Sequence, residues 1–194
     1  MKQIFDRDYP VTSILLILTS LVFVLMFLSY GFQYSSSEAL YHFGAVHGYT
    51  IQALPEQFWR VFAAIFIHIG LEHFVVNMLT LYFLGRQIEA IFGSWKFLIL
   101  YLMSGVMGNL FVVYFSPNSL AAGASTALFG LFASVVVLRY ATRNYYLQQL
   151  GQSYMSLLAV NLVMSLLPGI SLAGHLGGLV GGALGAVILP VSGE

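Results

Sequence analysis

The chain has 194 residues, of which 59% are hydrophobic and only 7% are charged, whereas soluble domains usually carry about 25% charged residues. This composition predicts a membrane protein. Seven basic and seven acidic residues cancel to a formal net charge of zero, and the absence of a basic run argues against nucleic-acid binding. Because the chain has no cysteine, disulfides, thiol nucleophiles and thiolate metal sites are excluded.

The apolar stretches between the charges predict six membrane-spanning helices, since a helix needs about 20 mainly apolar residues to cross a bilayer. In chain order the predicted spans are 11–30, 65–85, 95–115, 124–140, 150–168 and 170–190. The first is expected to persist as a span, because no small-residue cleavage site of a signal peptide accompanies it. We therefore predict an all-α fold: a polytopic six-helix membrane bundle forming one domain over residues 1–194.

The distribution of basic residues predicts how these spans are oriented. Six of the seven lie on one side of the spans, namely Lys2, Arg7, Arg86, Lys96, Arg139 and Arg143. The positive-inside rule then places both termini in the cytoplasm and the 31–64 loop outside. Arg60, on the outer side, follows an aromatic residue in "FWR". We expect Trp59 to anchor this loop at headgroup depth and Arg60 to snorkel or to bond loop carbonyls.

In this orientation, spans two, four and six enter from the outer face, and each carries polar residues near its start. His73 and Asn77 are spaced i, i+4 on one helix face and can aim two donors at one point. Ser125 begins a helix after "AAGA", where free backbone N–H groups and the positive dipole end favour an anion. His175 is an ionisable residue inside a span, which makes it a functional candidate.

Each of these residues also has a structural explanation. Polar side chains commonly hydrogen-bond between membrane helices, and serine is frequent where such helices touch. The glycines around His175, namely Gly174, Gly178, Gly182 and Gly185, are expected to let helix backbones approach closely. The segment "GASTALFG" is not the G-x-S-x-G elbow of soluble hydrolases, because position 127 is alanine and no strand precedes it.

Two other functional classes are open on the same residues. His68, Glu72 and His73 in "HIGLEH" offer imidazole and carboxylate ligands for zinc. Their H-x-x-x-E-H spacing differs from the patterns of metalloprotease helices. A small transporter with polar residues along its path is the second alternative, although no inverted repeat is evident.

Taken in order, these motifs resemble the rhomboid family of intramembrane serine proteases. The resemblance covers nearly the whole chain and rests on "WR" at 59–60, "HIGLEHFVVNMLTLYFLG" at 68–85, "EAIFGS" at 89–94, "GAS" at 123–125 and "GHLGGLVGG" at 174–182. It implies that Ser125 is the nucleophile and His175 its general base, with His73, Asn77 and the Ser125 N–H stabilising the oxyanion. The resemblance implies no cofactor or metal. Because both Ser125 and His175 are present, the chain is not expected to be an inactive relative that acts as a chaperone.

The resemblance further implies a bacterial inner-membrane enzyme that cleaves transmembrane protein substrates on the outer side, with lateral entry near spans two and five. Two positions depart from the family pattern, in which glycine often follows the serine and tyrosine lies four residues after it. Here they are Thr126 and Phe129. The phenylalanine keeps a ring that can pack on His175 but loses the phenol hydrogen bond.

Overall fold

The computed structural model describes residues 6–191 and is almost entirely helical, which confirms the predicted all-α membrane fold. The helices are α1 (Pro10–Tyr30), α2 (Ser37–Phe43), α3 (Gly48–Ala53), α4 (Arg60–Ala63), α5 (Gly70–Thr80), α6 (Arg86–Phe92), α7 (Ser94–Phe115), α8 (Ser125–Ala141), α9 (Tyr145–Met164) and α10 (Leu172–Ile188). Lys2, used above for orientation, lies outside the described residues.

Five predicted spans coincide with single helices to within a few residues, and the second does not. Helix α5 begins at Gly70 rather than at residue 65, and the chain bends by 75° between Pro55–Phe66 and Gly70–Phe92. Gly70 has φ +84°, a conformation that favours glycine and lets the chain turn into the helix. After α5, a π-helical turn at Leu81–Gly85 leads directly into α6, beyond the predicted end. Hydropathy alone carries no signal for this bend.

Helix length bears on the predicted number of spans. Among the described residues, two helices are long and apolar enough to cross a membrane, or three if the bent pair counts as one span. Helices α8 and α10 are apolar but have 17 residues each. The protein is a multi-pass membrane protein, and the number six stays a prediction.

The core of the bundle is helix α8, which packs between α7, α9 and α10. Every residue from Thr126 to Val135 is buried, as expected for a helix that is apolar all round. On its α10 side, backbone meets backbone: a Cβ at Gly178 would lie 2.0 Å from the Thr126 carbonyl oxygen, and one at Gly182 would lie 1.9 Å from that of Gly130. These contacts confirm that the glycines of α10 serve close packing.

The loop between α1 and α5 is structured and joins the segment before α8. Strand β1 (Val46–His47) pairs antiparallel with β2 (Leu120–Ala121), with Val46 opposite Ala121. Arg60 is buried, and its Nη1 donates to the Tyr41 carbonyl at 2.5 Å. The predicted bonding of loop carbonyls is therefore confirmed, whereas snorkelling of Arg60 is wrong. Trp59 remains 46% exposed.

A buried carboxylate fixes the other end of the bundle. Glu89 accepts hydrogen bonds from the backbone N–H groups of Val11 and Thr12 at 2.9 and 2.8 Å, and from the Ser94 hydroxyl at 2.7 Å. It thus satisfies N–H groups in the first turn of α1, which have no partner inside the helix. Helices α1, α6 and α7 are held together at this point.

Candidate active site

Ser125 is the first residue of α8, and the two residues before it are held by hydrogen bonds. The N–H of Gly123 donates to the Ala64 carbonyl at 2.9 Å, and that of Ala124 donates to His68 Nε2 at 3.4 Å. Gly123 has φ +142°, and a Cβ there would lie 2.6 Å from the His73 ring. Only glycine therefore suits this approach. This arrangement of Gly123 and Ala124 places the half-buried Ser125 at the N-terminus of α8, where N–H groups lack helical partners.

His175 lies in the first turn of α10 and faces Ser125. Its Nε2 is 2.9 Å from Ser125 Oγ, a hydrogen-bond distance, and the imidazole is buried. The two residues are 50 positions apart in the chain. They meet because the glycine contacts between α8 and α10 bring the helix backbones together just below them. The structure therefore brings together the two residues predicted to form the dyad.

The two departures from the family pattern border this pair. The Phe129 ring stacks on the His175 imidazole, with centroids 3.9 Å apart and an interplanar angle of 12°. The expectation that phenylalanine keeps the ring contact is thus confirmed. Thr126 is buried, and among the described residues its hydroxyl has no hydrogen-bond partner. Its side chain fills the space between Gly108 of α7 and Gly174 of α10.

Ser165, which the sequence analysis did not single out, occupies the far side of the imidazole. Its Oγ lies 2.6 Å from His175 Nδ1 and 2.8 Å from the Asn161 carbonyl oxygen. The residue ends α9 and is buried. A serine in an apolar helix has no sequence signal that separates this position from the other serines of α9.

His73 and Asn77 differ in how closely they approach the pair. The Ile69 N–H donates to His73 Nδ1 at 3.4 Å, which leaves the ring proton on Nε2, at the edge beside Gly123. Asn77 is buried, and its Nδ2 donates to the His73 carbonyl of its own helix at 2.9 Å. One of its two amide protons remains available. The oxyanion role of both residues stays a prediction.

The residues of the metal alternative do not form a ligand set. His68 is fully buried and holds the Ala124 N–H, whereas Glu72 is exposed. Within residues 6–191, no group of three or more histidine, cysteine, aspartate or glutamate side chains is close enough to hold a metal ion. The geometry therefore favours Ser125 and His175 over a zinc site as the chemical centre.

Comparison with known proteins agrees with the order of motifs. The family model described as "Rhomboid domain" matches residues 55–191. The chain is 32% identical over 188 residues to the rhomboid protease GluP of Bacillus subtilis. This match covers 96% of this chain and 36% of that protein. It is 29% identical over 184 residues to a second Bacillus subtilis relative, which is named "putative rhomboid protease YdcA", and this match covers 94% of this chain and 89% of that protein.

A third relative shows that similarity alone does not establish activity. The inactive RHOMBOID-like protein 8 of Arabidopsis thaliana is 31% identical over 149 residues, which is 75% of this chain and 42% of that protein.

The chain spans about a third to a half of the length of several curated relatives that it matches. From the match over most of its length and the motifs in their family order, the chain belongs to the rhomboid family.

Proposed function

We propose that this chain is an intramembrane serine endopeptidase that cleaves membrane-protein substrates within or beside a spanning segment. The observation that carries the proposal is the 2.9 Å contact between Ser125 Oγ and His175 Nε2. A serine hydroxyl becomes an effective nucleophile when a hydrogen-bonded base takes its proton. A buried, ring-stacked imidazole at this distance is suited to that role.

The reaction follows from these two groups. His175 Nε2 takes the Ser125 proton as Oγ attacks the scissile carbonyl carbon, and the carbonyl oxygen becomes an oxyanion. The Ser125 N–H, the His73 imidazole and the Asn77 amide supply donors for this charge, which exists only in the transition state and the intermediate. The protonated imidazole then gives its proton to the leaving nitrogen, and water releases the acyl group by the same steps in reverse order.

The same proposal includes the setting of the enzyme. Residues 1–194 form one protease domain in a bacterial inner membrane, with both termini in the cytoplasm and the site open to the outer side. Because the chain has no cysteine, single cysteines test this orientation directly. With an impermeant maleimide, Ser35→Cys should label in intact cells and Arg143→Cys only after permeabilisation. The reverse pattern would overturn the orientation.

The substrates in this proposal are transmembrane proteins that enter laterally near the second and fifth spans. A peptide must leave its helix before its carbonyl can reach Ser125, so segments with helix-weakening residues should be cut best. Proteoliposomes that contain the purified protein and a single-span substrate would give the cleavage site by mass spectrometry of the products. Ser125→Ala and His175→Ala should each abolish cleavage, because the pair acts as a unit.

Matched controls separate chemistry from folding. Ser134 lies in the same helix as Ser125, is buried, and donates to the Leu131 carbonyl, so Ser134→Ala should remain active. His42 is an exposed histidine of α2, and His42→Ala should also remain active. A serine-directed fluorophosphonate should modify Ser125 with or without a chelator. Substantial proteolysis by a folded Ser125→Ala variant would overturn the proposal, and chelator-sensitive activity restored by zinc would favour the metal alternative.

A further inference from the structure

Ser165 is the only buried residue between positions 152 and 173. Its exposed fraction is 2%. The residue closes α9, a helix in which only Leu147 and Gly151 are buried. A polar side chain that is buried where its neighbours are exposed requires a hydrogen-bond partner. Two polar groups lie within hydrogen-bond distance of its Oγ, namely the His175 imidazole and the Asn161 carbonyl.

Two hydrogen-bond distances support one arrangement of the protons at this contact. Ser165 Oγ lies 2.6 Å from His175 Nδ1 and 2.8 Å from the Asn161 carbonyl oxygen. A hydroxyl has one proton, and a carbonyl oxygen can only accept. When the Ser165 hydroxyl donates to Asn161, its oxygen must accept from Nδ1. The imidazole then carries its proton on Nδ1, and the lone pair of Nε2 faces Ser125.

We propose that Ser165 is a positioning residue that holds His175 in the tautomer able to act as a base. This inference rests on the proposed function, since it assigns a partner to the base of the proposed dyad. A third group that fixes the ring orientation and tautomer is what a carboxylate supplies in soluble serine proteases. Here the group is a neutral hydroxyl, whose orientation is in turn set by the Asn161 carbonyl.

The proton count in the reaction is unchanged by this role. The Ser125 proton moves to Nε2 during attack and later to the leaving nitrogen, while the Nδ1 proton stays on the ring throughout. Ser165 keeps its own proton, donated to the Asn161 carbonyl, and accepts the Nδ1–H bond. That bond strengthens when the imidazole becomes positively charged, because charge-assisted hydrogen bonds are stronger than neutral ones. Ser165 therefore favours the transition state without touching substrate.

Helix α9 offers a close control for a purely structural role. Ser153 also donates to the carbonyl four residues earlier, that of Gln149, at 3.2 Å, but it is exposed. If Ser165 serves only to end the helix through its bond to Asn161, Ser165→Ala and Ser153→Ala should have the same kcat. If Ser165 holds the imidazole, the two variants should differ in turnover.

The first test measures the tautomer in the full-length protein in proteoliposomes, with 15N-labelled histidine. The chain has five histidines, so the His175 signals are assigned by comparison with His175→Gln. In the resting wild type, Nδ1 should have the shift of a protonated nitrogen and Nε2 that of an unprotonated one. Ser165→Ala should give a mixture of both tautomers. A wild-type ring protonated on Nε2 alone would overturn the inference.

The second test measures kinetics. Loss of one hydrogen bond to the ring should lower kcat about 3- to 10-fold in Ser165→Ala, with KM unchanged and fluorophosphonate labelling of Ser125 slowed by a similar factor. Ser165→Thr, which keeps a hydroxyl, should restore most of the rate, whereas Ser165→Val, of similar shape, should not. Ser153→Ala should match the wild type. Equal kcat for the threonine and valine variants would overturn the inference even if Ser165→Ala folds poorly.

The outcomes separate this inference from the proposed function. If the wild type neither cleaves the substrate nor forms an adduct at Ser125, the proposed function fails, and the inference falls with it. If Ser125→Ala is inactive while Ser165→Ala keeps full kcat and a single tautomer, only the role of Ser165 fails.

Discussion

The junction of α8 and α10 and the two flanking helices α5 and α9 are packed in opposite ways. At the junction, glycine backbones touch across the helices. In α5 and α9, by contrast, only Asn77, Met78, Leu147 and Gly151 are buried. The tightly packed pair of helices carries Ser125 and His175, and the loosely packed pair supplies His73, Asn77 and Ser165. Packing density therefore separates the proposed nucleophile and base from the side chains of α5 and the end of α9 that we propose assist them.

The largest effect is expected from breaking the junction itself. An alanine Cβ at Gly182 would lie 1.9 Å from the Gly130 carbonyl oxygen and 2.3 Å from its Cα. Backbone atoms cannot move aside unless the helices separate, so Gly182→Ala should lower the free energy of unfolding by about 3 kcal/mol. Thermal unfolding in detergent measures this loss, and fluorophosphonate labelling of Ser125 should slow with it.

A second glycine of α10 provides the control. A Cβ at Gly185 would meet Leu100 Cδ1 at 2.4 Å and Met103 Cε at 2.7 Å, which are ends of flexible side chains. Alanine is also about 1 kcal/mol more favourable than glycine inside a helix. The free energy of unfolding of Gly185→Ala should therefore stay close to that of the wild type. Equal stability of the two alanine variants would show that the junction is not limited by backbone contact.

The loop between α1 and α5 gives the next largest effect, and it tests stability away from the junction. Arg60 Nη1 donates to the Tyr41 carbonyl, Nε donates to Gln57, and the guanidinium lies 4.1 Å from the centre of the Tyr41 ring. Arg60→Ala removes these charged hydrogen bonds and should cost about 2 kcal/mol of unfolding free energy, measured by thermal unfolding. The matched control is Arg143→Ala, which should leave thermal stability unchanged because Arg143 is exposed. A changed cleavage site with unchanged thermal stability would contradict this structural role.

Asn77 tests whether a residue of a loosely packed helix acts on rate rather than on stability. Because its amide would bind the oxyanion and not the resting carbonyl, Asn77→Ala should lower kcat more than it raises KM. One donor in soluble enzymes contributes about 10²–10³-fold. We expect about 10-fold here, since His73 and the Ser125 N–H remain as donors.

Thr80 is the control for that variant. It lies in the same helix and, like Asn77, donates to the carbonyl four residues earlier, that of Val76, at 2.9 Å. Steady-state kinetics of Thr80→Ala should match the wild type at equal folded fraction. If Asn77→Ala also leaves kcat unchanged, Asn77 is a packing residue.

Several features were predictable because local composition determines them. The bounds of α1 and α7 follow from long charge-free stretches, and the glycines of α10 indicate close packing. The pairing of Ser125 with His175 came from the order of family motifs rather than from spacing, since 50 residues separate them. Sequence patterns thus located the helices, and the resemblance predicted which residues meet.

Other features depend on tertiary contacts that leave no local pattern. The 75° bend before Gly70 lies within an apolar stretch, and strands β1 and β2 have two residues each, too short for a period of two to be recognised. Ser165 and Ser153 are both serines of the α9 segment that can donate to the carbonyl four residues earlier. Burial and the contact with the His175 ring, both set by the tertiary fold, distinguish them.

The smallest expected effect concerns Phe129, which belongs to the tightly packed α8 but contacts the reacting imidazole. Its ring stacks on His175 at a centroid distance of 3.9 Å. Such aromatic contacts contribute about 0.5–1.5 kcal/mol beyond burial. Phe129→Leu keeps an apolar side chain but removes the stacked face, so kcat should fall about 3-fold, with KM unchanged. Phe129→Tyr, which restores the common family residue, should retain at least the wild-type rate.

The control for this effect lies one turn further along α8. Phe132 packs against Tyr154 of α9 with ring centroids 5.6 Å apart, and our proposal gives it no role in the reaction. Phe132→Leu should therefore lower thermal stability by an amount similar to Phe129→Leu while leaving kcat unchanged. If the two leucine variants lose stability equally and neither changes kcat, the Phe129 ring only fills the junction. A Phe129→Leu enzyme that is slower than Phe132→Leu at equal stability would place the ring among the groups that orient His175.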